Sequence, residues 1–213
     1  MPDKKILMVL GGDPPTEDLL SWYQQETDLS VAVDSGFQAF RQAGLSPDML
    51  IGDLDSCEDF NTADFRNLKV KLIEIPDQEK TDFQKALSFI QSESSPEKII
   101  ILGALGKRTD HLINNFSILS AIPEKIEVVI DSAKEWIQRV NKNKPVIIKG
   151  RGGSTVSLIP QGDGTVVSST GLKWDLNKDH LSMGGKISQS NVFESDFAEI
   201  SVHSGNLLII IQK

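Results

Sequence analysis

Two aspartates two positions apart, Asp53 and Asp55 in Ile51-Gly52-Asp53-Leu54-Asp55-Ser56, are the sharpest chemical signal in the chain. Carboxylates held this close repel each other unless a cation or a proton lies between them. Such oxygen donors suit Mg²⁺, which usually takes one or two carboxylates and fills its shell with phosphate oxygens and water. An Asp-rich turn with solvated side chains is the commoner outcome for such a pair, and metal-dependent glycosyl transfer also uses Asp-x-Asp. The pair gains weight from its company: Gly11-Gly12-Asp13, Asp34-Ser35-Gly36, Pro76-Asp77 and Gly103-Ala104-Leu105-Gly106-Lys107-Arg108 have the same texture. Glycines let backbone N–H groups approach phosphate oxygens. A glycine-rich segment ahead of a helix makes an anion site, and Arg108 can clamp phosphate through two parallel hydrogen bonds. Asp82 follows Thr81 at a helix start, where a carboxylate also simply complements the helix dipole. Asp110 reads as a helix cap with His111 as a surface or packing residue, or the two as an acid/base pair. Phosphoryl transfer asks little of a strong base.

The elements that must position these residues come in two styles. Apolar runs at 6–10, 29–33, 49–51, 70–75, 99–102 and 126–130 predict buried strands. Between them, helix-period patterns predict helices over 17–25, 37–43, 59–68, 81–91 and 110–119. In the fourth helix Phe83, Ala86, Leu87 and Ile90 share a face and Thr81 is the expected N-cap. Strands that are apolar throughout, alternating with helices, predict an α/β fold with a mostly parallel sheet covered on both faces. Ligands of such sheets bind beyond the carboxyl ends of the strands, where the polar segments fall. After Asp131 the runs shorten to 136–140, 146–148, 155–159, 165–168, 198–202 and 207–211, separated by glycine turns. This predicts a small antiparallel all-β sandwich or barrel. The expected domains are 1–132 and 133–213.

The 213 residues carry 22 basic and 30 acidic side chains, a net charge of -8. An acidic chain repels a nucleic-acid backbone, so no nucleic-acid partner is expected. A nucleotide substrate stays open, because a bound cation inverts the local field. Cys57 is the single cysteine; no intramolecular disulfide can form, and a cytoplasmic location is expected. The run 6–10 is too short for a signal-peptide core. No stretch approaches the roughly 20 apolar residues of a membrane span.

Taken in order, these segments resemble the thiamine pyrophosphokinase family. The resemblance rests on Val33-Asp34-Ser35-Gly36, on Pro47-Asp48 through Ser56, on Lys80-Thr81-Asp82, and on Gly103 to His111 with Asn114 and Asn115. It continues through Gly171-Leu172-Lys173-Trp174-Asp175-Leu176 and Ile187-Ser188-Gln189-Ser190-Asn191, covering most of the chain. It implies an N-terminal α/β catalytic domain, a C-terminal thiamine-binding β-sandwich, and a homodimer with shared sites. It also implies ATP and Mg²⁺, with thiamine diphosphate and AMP as products. By position, Asp53, Asp55 and Asp82 would be the metal-binding and catalytic carboxylates. Asp34, Gly36, Thr81, Gly103, Gly106, Arg108, Asp110 and His111 would form the ATP site, and Trp174, Ser190 and Asn191 would contact thiamine. An indole face attracts a thiazolium cation or stacks on a pyrimidine, although most tryptophans are mainly buried for packing. Ser35 and Lys107 stand where the family commonly has small Gly-type residues, and Gly184-Gly185 loosens the loop before Ser188. The competing readings are transfer to another small alcohol, a metal-dependent nucleotide-sugar enzyme, and a non-enzymatic nucleotide or thiamine sensor. The Asp cluster disfavours the sensor.

Overall fold

The structure is a computed structural model that describes residues 5–52, 69–142 and 145–213. Asp53, Asp55 and the helix expected over 59–68 lie outside the described residues. The chain divides into two compact units, Met1–Ile118 with Ile130–Ser132, and Leu119–Val129 with Ala133–Lys213.

In the first unit the strands are β1 (Lys5–Val9), β2 (Leu29–Val33), β3 (Met49–Ile51), β4 (Lys71–Ile73) and β5 (Lys98–Leu102). They are parallel and ordered β5-β1-β2-β3-β4. Helix α1 (Glu17–Glu26) begins at Thr16, whose hydroxyl accepts from Leu19 N. A 3-10 turn, Asp34–Gly36, leads into α2 (Phe37–Gln42). Leu20 and Tyr23 of α1 and Phe37 and Phe40 of α2 bury against Leu7, Val9, Ala32, Leu50, Ile100 and Leu102. Strand alternation turns Ile6, Met8, Val31, Ile99 and Ile101 to the opposite face, and all are fully buried. There α3 (Asp82–Glu93) lies against β2 and β3. Burial on both faces explains why these strands are apolar throughout. Each such side chain contributes about 1.5–3 kcal/mol.

Helix α4 (Thr109–Ala121) is followed by β6 (Glu127–Asp131), whose first three residues belong to the second unit and last two to the first. Tyr23 donates its hydroxyl to Asp131 Oδ2 at 2.8 Å within the core. Burial, and then this bond, raise the Tyr23 pKa above the usual phenol value.

The second unit holds β7 (Glu135–Asn141), β8 (Val146–Lys149), β9 (Thr155–Pro160), β10 (Thr165–Thr170), β11 (Asp179–Leu181), β12 (Ser188–Val192), β13 (Phe197–Ser204) and β14 (Asn206–Gln212). They pair antiparallel in the orders β12-β9-β14-β7 and β11-β10-β13-β8. One core joins residues of both rows, among them Val140, Val156, Leu158, Val167, Phe193, Ile200 and Ile209, which makes this region a sandwich. Strands β11 and β12 have no counterpart in the expected list. Arg139 of β7, 4% exposed, donates to the carbonyls of Leu119, Ile122, Pro123 and Ile126. It thereby adds donors to the carbonyls of a helix end and the turn after it, two of which, Leu119 and Pro123, also accept a backbone N–H. Among the described residues, no helix is long and apolar enough to cross a membrane.

Candidate active site

Register brings the polar segments to one edge. Val9 pairs with both Ala32 and Leu102, and Val33 with Ile51. The residues that follow, Leu10 to Gly12, Asp34, Gly52 and Gly103, therefore leave the sheet at one level. The chain steps from β1 to β2 on one side and returns to β5 on the other, a switch point of the kind that opens a ligand crevice. A cleft of about 520 Å³ lies there.

Gly11 and Gly12 line it after β1, and Asp34 and Ser35 after β2. Thr81 and Asp82 enter from the start of α3. Gly103, Gly106, Lys107 and Arg108 follow β5, and Asp110, His111, Asn114 and Asn115 come from α4. Eight of the expected ATP-site and metal residues thus meet in one place: Asp34, Thr81, Asp82, Gly103, Gly106, Arg108, Asp110 and His111. Gly36 is not in the lining. It is buried, and a Cβ there would stand 1.9 Å from the Val9 carbonyl oxygen, so its part is to let the 3-10 turn close on β1.

The backbone is strained where the cleft is built. Asp34 has φ +48° and Lys107 φ +53°, a region that costs side-chain-bearing residues energy and collects at functional sites. Lys107 Nζ donates to the Gly11 carbonyl at 2.8 Å, tying the β5 loop to the β1 loop. Gly106, at φ +82°, admits the Asp13 carboxylate, which a Cβ would meet at 2.0–2.2 Å.

Arg108 and Asp110 form a two-pronged pair, Nε to Oδ1 at 3.1 Å and Nη2 to Oδ2 at 2.5 Å. The guanidinium bond holds the Asp110 carboxyl at about 2, well below the usual carboxylate range. The same bond raises the Arg108 pKa. Thr81 caps α3 in a reciprocal capping box with Gln84, so its hydroxyl serves the helix. Asn115 Nδ2 donates to the Ala104 carbonyl at 2.9 Å and braces the loop after β5. Asp82 Oδ1 accepts from Lys85 Nζ at 3.1 Å. Lys85 was missed by sequence reasoning, because nothing in its spacing marks it as buried.

Among the described residues, no three His, Cys, Asp or Glu side chains cluster closely enough to hold a metal by themselves. Asp34 and Asp82 nevertheless bring hard oxygen donors to a cleft lined also by glycine loops, Lys107 and Arg108. One or two carboxylates beside phosphate oxygens is the usual protein share of a Mg²⁺ site, so the donor chemistry fits that ion.

Trp174, Ser190 and Asn191 belong to the second unit. The Trp174 side chain is 56% exposed, with Lys173 Nζ 4.8 Å from its ring centre. Ser190, at φ +54°, marks a bulge where β12 gains one residue on β9. Its N–H donates to Ser157 Oγ at 3.0 Å. Asn191 is 1% exposed, its carboxamide bonded to the main chain of Trp174.

A family model described as thiamin pyrophosphokinase, catalytic domain, matches residues 20–130, and one described as thiamin pyrophosphokinase, vitamin B1 binding domain, matches 144–207. Thiamine pyrophosphokinase 1 of Oryza sativa subsp. japonica is 33% identical over 168 residues, 74% of this chain and 63% of that protein. The chain spans less than two thirds of the length of this and the other plant relatives it matches. Thiamine pyrophosphokinase of Bacillus subtilis is 27% identical over 210 residues, 97% of this chain and 98% of that one. The crystal structure of the Bacillus subtilis thiamine pyrophosphokinase has the same fold, with a TM-score of 0.82 over 99% of both chains at 24% identity.

Proposed function

The chain belongs to the thiamin pyrophosphokinase family, and on that premise we propose that it transfers the pyrophosphoryl group of ATP to the hydroxyl of thiamine, giving thiamine diphosphate and AMP. One observation carries the reading: the glycine loops, the carboxylates of Asp34 and Asp82, and the Arg108 fork converge on a single cleft at the sheet's switch point.

The thiamine hydroxyl oxygen attacks the β-phosphorus in line. An O–P bond forms, the bond from the β-phosphorus to the oxygen bridging the α-phosphorus breaks, and AMP leaves with that oxygen while the hydroxyl proton is lost. Little covalent chemistry falls to the protein, so its share is positioning and charge. Asp82 and Asp34, with Asp53 and Asp55 from the sequence reading, would hold Mg²⁺, which supplies charge neutralisation on the phosphates when bound. Backbone N–H groups of the Gly103–Gly106 loop, with that of Gly11, cradle phosphate oxygens, while the Gly12 N–H donates to the Gly103 carbonyl and ties the two loops together. Arg108 stabilises the charge that develops during transfer. Residues 1–132 form the catalytic part and residues 133–213 the thiamine-binding part, where Trp174, supported by Ser190 and Asn191, offers its exposed face to the vitamin. The working assembly is a homodimer with shared sites, located in the cytoplasm and bound to neither nucleic acid nor membrane.

The test is direct. Incubation with ATP, Mg²⁺ and thiamine should yield AMP and thiamine diphosphate in equal amounts. ADP as the nucleotide product, or nucleotide binding without turnover, would refute the proposal.

A further inference from the structure

Lys85 is buried on a flank of its helix where a lysine would ordinarily reach water. The apolar stripe of α3 is Phe83, Ala86, Leu87 and Ile90. At about 100° per residue, Lys85 lies roughly 150° from the centre of that stripe. Ser88 and Ser92, farther along the same flank, are exposed as the geometry dictates. The Lys85 side chain is only 9% exposed. Its burial is therefore confined to the end of the helix that meets the cleft. There its ammonium donates to Asp82 Oδ1, and Asp82, 31% exposed, lines the cleft. Taking an ammonium out of water is costly and is offset only by good partners. A solvated i,i+3 pair would serve the helix as well, so helix stability does not account for the arrangement.

We propose that Lys85 is a positioning residue for Asp82, holding its carboxylate in the one rotamer that presents it to the cation and phosphates of the cleft. The inference rests on the Mg²⁺–ATP reading above. A carboxylate at the mouth of a helix has several rotamers open to it. A buried ammonium three residues on removes all but those within its reach, so the ordering is done before the nucleotide arrives.

The experiment is a double-mutant cycle on binding, which separates a direct contact from one exerted through a neighbour. ATP is titrated calorimetrically into the full chain with Mg²⁺ and without thiamine, using wild type, Lys85→Met, Asp82→Asn and the double variant. Thermal unfolding is followed in parallel. Lys85→Met should weaken Mg²⁺-dependent ATP binding about tenfold with thermal stability kept or raised. In the Asp82→Asn background the same change should have almost no effect. Lys85→Arg should recover part of the loss. If Lys85→Met lowers stability, the cycle is repeated with Lys85→Gln, which keeps a donor and much of the volume. Wild-type affinity in a folded Lys85→Met protein would overturn the proposal, as would an undiminished loss in the Asp82→Asn background. Wild-type protein that fails to bind ATP with Mg²⁺ would overturn the parent reading, and this proposal with it.

Discussion

Trp174 and Asn191 are joined by two reciprocal hydrogen bonds: the Trp174 N–H donates to Asn191 Oδ1 at 3.2 Å, and Asn191 Nδ2 donates to the Trp174 carbonyl at 2.8 Å. The same carboxamide accepts from Val192 N and donates to Ser188 Oγ, so its capacity is used within the protein. Asn191 thus holds Trp174 by the backbone while the indole stays exposed, and on the proposed function it would act on thiamine through that residue. Trp174→Ala should weaken thiamine binding by about 1–3 kcal/mol and leave ATP binding nearly unchanged. Asn191→Ala should do the same to thiamine while also lowering stability by about 1–3 kcal/mol, because it strands buried main-chain groups. Calorimetric titration of each variant with both ligands checks this; equal losses for thiamine and ATP would remove the assignment.

The Arg108–Asp110 fork predicts a specific intolerance. Arg108→Lys keeps the charge but loses the paired donors, and kcat/KM for ATP should fall about tenfold or more. Because the folded-state pKa of Asp110, about 2, lies below the unfolded value of about 3.9, the pair is complete above about pH 4. It is lost only as the pH falls through 2. A pH profile of ATP binding between 5 and 9 should therefore carry no inflection that disappears in Asp110→Asn.

Among the carboxylates, Asp53→Asn, Asp55→Asn and Asp82→Asn should each abolish most turnover without unfolding the protein. Removing a ligand weakens Mg²⁺ binding and leaves phosphate charge exposed in the transition state. Rates measured at limiting Mg²⁺ are the discriminating readout, and near-normal turnover in Asp55→Asn would remove it from the metal site.

The shared-site assembly predicts complementation. Asp55→Asn and Trp174→Ala proteins, each inactive or nearly so, should regain part of the activity when mixed under conditions where subunits exchange. In a mixed dimer one of the two sites keeps both residues, as two-fold symmetry requires. Verified exchange without recovery would mean each site is built within one chain.

Arg139 is a stability prediction. Arg139→Met keeps much of the volume but removes the guanidinium donors from the carbonyls of Leu119, Ile122, Pro123 and Ile126, of which Leu119 and Pro123 keep a backbone donor, the N–H of Ile122 and of Ile126. The cost should be about 3 kcal/mol or more, a drop in Tm of roughly 6–12 °C. Kinetic constants of the surviving folded protein should be near normal.

The parallel strands were legible because burial on both faces writes an uninterrupted apolar run, and the expected bounds of β2 and β3 coincide with the observed ones. The run expected over 70–75 shrinks to Lys71–Ile73, since apolar character alone does not say where pairing to β3 stops. Strands β11 (Asp-His-Leu) and β12 (Ser-Gln-Ser-Asn-Val) were invisible because they are polar and short, and β12 carries a bulge; their pairing is imposed by β10 and β9. In the cleft, residue types at strand ends pointed to Asp34 and Arg108, whereas Asp82, the first residue of its helix, was singled out by the family resemblance. Lys85 and Arg139 did not stand out, because a basic residue that will be buried looks in sequence like one that will be solvated. The involvement of Asn191 with Trp174 spans 17 residues and depends on β12, so no local pattern announces it.

Matched register makes the cleft an address counted in residues. One residue inserted into β1 or β2 would advance the loop that follows by about 3.3 Å and turn every later side chain of that strand to the other face. Leu7 and Val9 would lose their core partners together with the place of Gly11 and Gly12. The connection after α2 is constrained by its left-handed backbone and not by neighbours: at Gly44, φ +65°, open space surrounds the Cβ position, and the same is true at Gly162 and Gly164 between β9 and β10. Length differences between this chain and its relatives should therefore accumulate at those turns and be absent from the strands that aim the cleft.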